Sequence, residues 1–145
     1  MSKVEDFLTA AEEKDIIKAI KTAENNTSGE IRVHIEKVTE KPPMERALEV
    51  FYFLEMDKTN QRNGVLFYIA VESKKFAIIG DEGINSRVPD NFWDTEKELV
   101  LSHFTKGNPS KGLQLAIIEV GNKLKEFFPY KSNDTNELSD EISKG

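Results

Sequence analysis

Four carboxylates are concentrated in one short stretch of the chain, GDEGINSRVPDNFWD at positions 80–94. Two glycines and a proline interrupt this stretch, so it predicts a bent loop rather than a helix or a regular strand. Carboxylate and amide oxygens in an irregular loop are the ligands that calcium prefers, whereas magnesium uses one or two carboxylates with water. The loop therefore predicts a divalent-cation site, with calcium as the first choice and magnesium as the alternative. Its carboxylates are Asp81, Glu82, Asp90 and Asp94.

The elements around this loop predict that acids from elsewhere in the chain join it. Positions 30–38 alternate apolar and polar residues, as in a strand with one buried face, and positions 64–72 form a nearly continuous apolar run, as in a central strand. A helix between them predicts a parallel, right-handed crossover, and the reversal at 72–74 predicts an antiparallel third strand at 75–80. The loops at 27–30, 55–63 and 81–94 should then meet at one rim of the sheet.

The candidate ligands differ in how firmly the chain holds them. Asp81 directly follows the third strand, and Asp90 stands between Pro89 and the next helix, so we expect these two to be the main ligands. Asp94 comes one helical turn after Asp90, and Glu30 opens the first strand at the same rim. Neighbouring residues at a strand end point in opposite directions, which makes four further donors secondary candidates: Glu82, Asn85, Asp57 and Asn60. This many oxygens could also hold two neighbouring ions.

The same loop can be explained without a metal. Asp90 or Asn91 can be the N-cap of the following helix, and Asp94 can interact favourably with the helix dipole. Crowded carboxylates have raised pKa values unless a positive group lies among them. Arg62 or Arg87 could provide that charge in place of an ion.

Hydrophobic periodicity predicts an α/β fold, a three-layer α/β/α sandwich with a small mixed sheet of about four strands flanked by helices. Helices are expected near 10–24, where Thr9 and Glu12 have capping-box spacing, and near 43–55, 91–105 and 110–127. Three strands are expected near 30–38, 64–72 and 75–80, and a short fourth strand could come from the acidic loop or the tail. Residues 1–130 form the single predicted domain, and residues 131–145 an acidic tail that is flexible or loosely docked.

Composition limits the classes of partner. The 145-residue chain has a net charge of −6, which argues against a nucleic-acid-binding face. It has no cysteine and only two histidines, so a zinc site is not expected. No apolar stretch is long enough to span a membrane and no signal-peptide pattern opens the chain, so we expect a soluble, cytoplasmic monomer.

Several collinear motifs resemble the TPM domain family. They are SGEIRVHIE for the first strand, RNGVLFYIAVESKKFAIIGDEGINSRVPDNFWD for the hairpin and loop, and FTKGNPSKGLQLAIIEVGNKL for the closing helices. The resemblance covers about residues 10–128 and is greatest to the small soluble members that consist of this domain alone.

The resemblance implies a three-layer α/β/α fold, divalent-metal binding in some members and acid phosphatase activity in one relative. Asp90 matches the family's acid after the loop, and Gly80 and Gly83 match its glycines. The chain departs from the family pattern at Asp81 and Glu82, where many members have an aromatic residue, and in lacking the transmembrane anchor that many relatives carry.

Three classes of function follow. The first is a divalent-metal-binding module with a regulatory or structural role, whose rim loops become ordered on binding. The second is a metal-dependent acid phosphatase, although the sequence contains no nucleophile motif. The third is a metal-free protein-interaction module that uses the sheet edge or the tail. His34 alternates with core residues on the first strand and is predicted to lie on a surface face, and His103 on the polar side of its helix, so neither is expected to be catalytic.

Overall fold

The computed structural model describes residues 8–129 and 142–144. Within them the chain forms five α-helices, four β-strands and one 3-10 turn at Met56–Lys58. In chain order these are α1 (Ala10–Glu24), β1 (Glu30–Glu36), α2 (Pro43–Phe53), β2 (Gly64–Ala70), β3 (Lys75–Gly80), α3 (Glu82–Asn85), α4 (Asp94–Thr105), α5 (Pro109–Leu124) and β4 (Ser143–Lys144). No helix in these ranges is long and apolar enough to cross a membrane.

The sheet is mixed and has the order β3–β2–β1–β4. β1 and β2 are parallel, with Glu30 opposite Gly64, and β2 and β3 are antiparallel, with Val65 opposite Gly80. The predicted crossover and hairpin are therefore confirmed. β4 lies parallel to β1, with His34 opposite Ser143, so the strand that the sequence did not place comes from the tail. The rest of the tail, residues 131–141 and 145, lies outside the described residues.

Helices cover both faces of the sheet, as the α/β/α prediction requires. On one face, apolar residues of β1 such as Ile31, Val33 and Ile35 join α1, α4 and α5 in the larger core. On the other face, α2 packs mainly on β2 and β3, and the smaller core contains Phe51 and Tyr68. The two cores follow directly from the alternation of side chains along each strand.

The helix ends depart from the sequence-based expectation at one position that matters for the rim. The capping box at α1 is present, with the Glu12 amide donating to Thr9 Oγ1 at 3.1 Å and the Thr9 amide donating to Glu12 Oε1 at 2.9 Å. α4, however, begins at Asp94 with Trp93 at its N-cap, so neither Asp90 nor Asn91 caps it. Asp94 does lie in the first turn, where a negative charge is favourable.

Candidate functional site

Arg62 is at the centre of the rim formed by the loops around β2 and β3. Its Nε donates to Asp81 Oδ2 at 2.8 Å and its Nη2 to Asp81 Oδ1 at 3.0 Å, which makes a bidentate pair. Its Nη1 donates to Glu82 Oε1 at 3.1 Å. The hydrogen bonds that Arg62 donates to Asp81 raise the pKa of Arg62 above its usual value, and the charges of Glu82 and Asp57 raise it further. One guanidinium thus neutralises carboxylates from two loops.

The local sequence folds the loop after β3 tightly against Arg62. Asp81 is the N-cap of α3 and accepts a hydrogen bond from the Glu82 amide at 2.7 Å. The Gly83 amide donates to the carbonyl of Arg62 at 2.9 Å. A Cβ atom on Gly83 would lie 2.1 Å from the carbonyl oxygen of Gln61, so only glycine allows the two loops to approach this closely.

The third loop reaches the same rim, as the predicted topology requires. Gln61 Nε2 donates to Ser28 Oγ at 3.2 Å, and Asn63 Nδ2 donates to the carbonyl of Ser28 at 3.2 Å. The amide of Glu30 donates to the carbonyl of Asn63 at 3.2 Å. The convergence of the three loops is therefore confirmed.

The predicted ligands are distributed unequally around the rim. Asp81 is buried, Asp57 is half-buried near Arg62, and Glu82 is exposed. Asn85 turns back and donates to the carbonyl of Gly80 at 2.8 Å. The remaining candidates contribute less to this grouping. Glu30 is buried at the start of β1, whereas three others are exposed: Asn60, Asp90 and Asp94.

Two findings bear on a cation at this rim. In the part of the chain that the structure describes, no three His, Cys, Asp or Glu side chains are grouped as a metal site requires. Both carboxylate oxygens of Asp81 already accept hydrogen bonds, from Arg62 and from the Glu82 amide. The donor chemistry of Asp81, Glu82 and Asp57 is that of a calcium or magnesium site, but in this conformation the positive partner is a guanidinium. Arg87, the other candidate cation, instead donates to the carbonyl of Phe127 at 3.2 Å.

A second polar network lies beside β4, and it corrects the prediction that His34 is a surface residue. His34 is only 5% exposed, its Nδ1 is 3.0 Å from Ser143 Oγ, and its Nε2 is 3.2 Å from Glu36 Oε1. Its ring stacks on Tyr68 with a centroid distance of 6.0 Å. Core-facing and outward-facing side chains alternate along β1 as predicted, but β4 and α2 cover the outward face. No signal in the sequence places β4 beside His34.

Glu36 is the charged centre of this network. Arg46 Nε donates to Glu36 Oε2 and Arg46 Nη2 to Glu36 Oε1, both at 2.9 Å, and the Tyr68 hydroxyl also donates to this carboxylate. Burial acts to raise the pKa of Glu36, but the hydrogen bonds from Arg46, Tyr68 and His34 prevail and lower it to about 2. Glu36 is therefore a buried, ionised, fully hydrogen-bonded carboxylate.

The protonation of His34 follows from this partner. Burial lowers the pKa of His34 below 6.5, against the opposing effect of Glu36, so the imidazole is neutral at pH 7. Because ionised Glu36 can only accept, Nε2 carries the proton and Nδ1 accepts from Ser143 Oγ. Ser143 belongs to a strand of only two residues. The bond between Ser143 and His34 thus adds to the backbone pairing of β4 with β1.

A groove of about 850 Å³ runs along the outer edge of β3. It lies on the flank of α2 that is opposite to the network of His34 and Glu36. α2 forms one wall and Trp93 the other, and the acidic rim closes one end. Trp93 packs directly over Gly80, since a Cβ atom on that glycine would lie 2.6 Å from Trp93 Cζ2. His103, by comparison, is half-buried and its Nδ1 is 2.9 Å from the carbonyl oxygen of Leu99, away from these features.

Known proteins share both the sequence pattern and the architecture. The TPM domain profile matches residues 1–128. The BA42 protein of the psychrophilic bacterium Bizionia argentinensis, solved by NMR, is 52% identical, with a TM-score of 0.92 and coverage of 100% of both chains. The N-terminal domain of a P. gingivalis protein has a TM-score of 0.68 at 16% identity over 88% of this chain and 83% of that one, which shows the fold alone. No curated protein matches the chain.

These findings agree with the motifs noted in the sequence. The profile spans nearly all of the predicted domain, and the similarity to BA42 extends over the full length of both chains. The predicted resemblance is confirmed, and this chain belongs to the TPM domain family.

Proposed function

We propose that this TPM domain binds a divalent cation at the rim around Arg62, with calcium preferred and magnesium as the alternative. The observation that supports the proposal is the sharing of one guanidinium by carboxylates from two loops. A cation of higher charge at the same place would neutralise these carboxylates and release Arg62, whose side chain is 34% exposed and able to turn towards water. The role that fits is regulatory or structural.

The residues that would hold the ion differ in what must move. Asp81 is already fixed as the N-cap of α3, and Glu82 and Asp57, which act on the same guanidinium, would have to turn towards it. Asn85 could contribute its amide oxygen. The remaining candidates would require larger movements: of the acidic loop for Asp90 and Asp94, of the start of β1 for Glu30, and of the loop before β2 for Asn60. The ion would supply charge neutralisation that orders the rim. We also propose that the domain acts as a cytoplasmic monomer.

Calorimetric titration of the full chain with calcium and with magnesium, after chelation, tests this proposal. A hundredfold excess of cation over Kd should stabilise the fold by about 2.7 kcal/mol in urea unfolding. Asp81→Asn should weaken calcium binding at least tenfold. Asp15→Asn is the matched control, because it removes the same charge from an exposed position on α1.

Arg62→Gln gives the most specific outcome. If the guanidinium competes with the ion, its removal should strengthen calcium binding, whereas a site elsewhere would not respond. The proposal fails if the wild-type chain binds neither cation, or if Asp81→Asn binds calcium as the wild type does.

A further inference from the structure

β3 is the outer strand of the sheet, and its outer side pairs with no strand in residues 8–129 and 142–144. Exposed edges normally carry a lysine, a proline or a bulge that prevents another strand from adding. The one lysine of β3, Lys75, is at its first position, and its Nζ donates to the carbonyls of Thr39 and Lys41. The rest of the strand, Phe76–Gly80, has no lysine or proline, and it pairs with β2 without a break in register.

The pairing of β2 and β3 determines which backbone groups face outward. The amide of Asp81 donates to the carbonyl of Gly64 at 2.9 Å, so these two residues form a hydrogen-bonded antiparallel pair. Such pairs alternate with pairs that do not share hydrogen bonds, which leaves the N–H and C=O groups of Ile78 and Gly80 on the open side. Asn85 supports this orientation, because its Nδ2 donates to the outward carbonyl of Gly80 at 2.8 Å.

Apolar walls border this edge along the groove. Met44, Leu48 and Tyr52 recur every four residues on α2, line the groove, and are 52%, 45% and 53% exposed. Ile79 and Trp93 line the groove from β3 and from the start of α4. The outward groups along its floor that Asn85 does not use are the N–H and C=O of Ile78 and the N–H of Gly80. A groove with such groups along its floor and apolar side walls has the geometry in which extended peptides bind by strand addition.

The charge of the groove limits the sequence of its occupant. Glu45 and Glu82 line it, and the one cation among its lining residues, Arg62, is paired with Asp81 and Glu82. A basic side chain on the occupant would therefore meet carboxylates, and an acidic one would be repelled.

We propose that the outer edge of β3 is a docking site for an extended segment of a protein partner, which adds to the sheet as a fifth strand. The segment alternates apolar side chains, which contact the α2 wall and Trp93, and it carries a lysine or arginine near Glu45 and Glu82. This inference does not depend on the proposed cation, because the groups that carry it are backbone and apolar atoms.

Selection from a phage-displayed library of random nine-residue peptides on the full chain, in the presence of chelator, tests the proposal. We expect enrichment of peptides with alternating apolar residues and at least one basic residue. The best peptide, synthesised with alternate backbone amides N-methylated, should bind at least tenfold more weakly, because strand addition needs those amides. In NMR titration the amides of Ile78 and Gly80 should show the largest shifts.

Matched variants separate this site from general hydrophobic binding. Leu48→Ser should weaken the binding of the selected peptide at least tenfold. Leu115→Ser, at a 37% exposed position on α5, should leave the affinity for the peptide unchanged. Both positions are exposed, so the fold should tolerate both changes. The proposal is overturned if no peptide enriches, if N-methylation has no effect, or if the shifts lie elsewhere. It is also overturned if Ile78 shifts with protein concentration alone, because the occupant would then be a second copy of the chain.

Discussion

Glu36→Gln is the substitution that tests the buried charge network beside β4 most directly. In the folded state the pKa of Glu36 is about 2, compared with 4.5 for an ordinary glutamate. At ~1.4 kcal/mol for each tenfold change in proton affinity, the ionised carboxylate contributes roughly 3 kcal/mol to stability. Because the side chain of Arg46 is 35% exposed, we discount this contribution to about 2 kcal/mol.

The pH dependence identifies the origin of this contribution. Since the pKa is lower in the folded state, the unfolded chain binds the proton more readily, and the stabilisation is complete above pH 4.5 and lost as the pH falls towards 2. In urea unfolding at pH 7 we expect Glu36→Gln to be about 2 kcal/mol less stable than the wild type. At about pH 3 the difference should shrink by more than half.

The control is Glu49→Gln. Glu49 Oε1 also accepts a hydrogen bond from Arg46, at 3.2 Å, but Glu49 is exposed, so its substitution should change stability little at any pH. A Glu36→Gln destabilisation of equal size at pH 7 and pH 3 would refute the reasoning, because it would mean that neutral hydrogen bonds rather than the charge stabilise the network.

Three further predictions concern other parts of the fold. Gly83→Ala should destabilise the chain by roughly 1–3 kcal/mol in urea unfolding, because its Cβ would collide with the Gln61 carbonyl; wild-type stability would contradict the close approach of the two loops. Ser143→Ala should speed amide exchange in β4, because it removes the bond to His34; unchanged exchange would show that the bond does not hold the strand. Burial raises the pKa of Glu96, so its stabilisation is present below pH 4.5 and lost as the pH rises through the folded pKa. The stability of Glu96→Gln relative to wild type should therefore increase with pH, and a constant difference would contradict this.

Most of the fold could be predicted because its elements carry strong local patterns. Ile31, Val33 and Ile35 alternate strictly along β1, and all three are buried in the larger core. β1 and β2 end two residues earlier than predicted, where the chain turns towards α2 and β3. α4 starts at Asp94 rather than near 91, because the preceding residues turn to bury Phe92 and to place Trp93 over Gly80. That turn depends on tertiary contacts, which local propensity does not contain.

The candidate site was predictable as a meeting of loops but not as a set of contacts. Parallel pairing of β1 and β2 brings the loops before these strands together, and antiparallel pairing of β3 with β2 adds the loop after β3. The pairing of Arg62 with Asp81 depends on a left-handed backbone at Arg62, with φ of 51°, and on the approach of Gly83. His34 was misplaced for a comparable reason, since Ser143 is 109 positions away in sequence.

The groove along β3 and the polar network beside β4 lie on the two flanks of α2 and have the same geometric origin. An α-helix is about 10 Å wide, and neighbouring strands are about 4.8 Å apart, so one helix covers roughly two strands. α2 lies over β2 and β3, where Leu66, Tyr68 and Ile79 form the smaller core. On the β1 side the sheet face beside α2 is polar, and its Glu36 and His34 are hydrogen-bonded to Arg46 of α2 and to Ser143 of β4. On the β3 side apolar side chains line the edge, and Asn85 takes up one of its outward backbone groups, the carbonyl of Gly80. In residues 8–129 and 142–144 no strand pairs with the outer side of β3, and it is there that we propose a further strand adds.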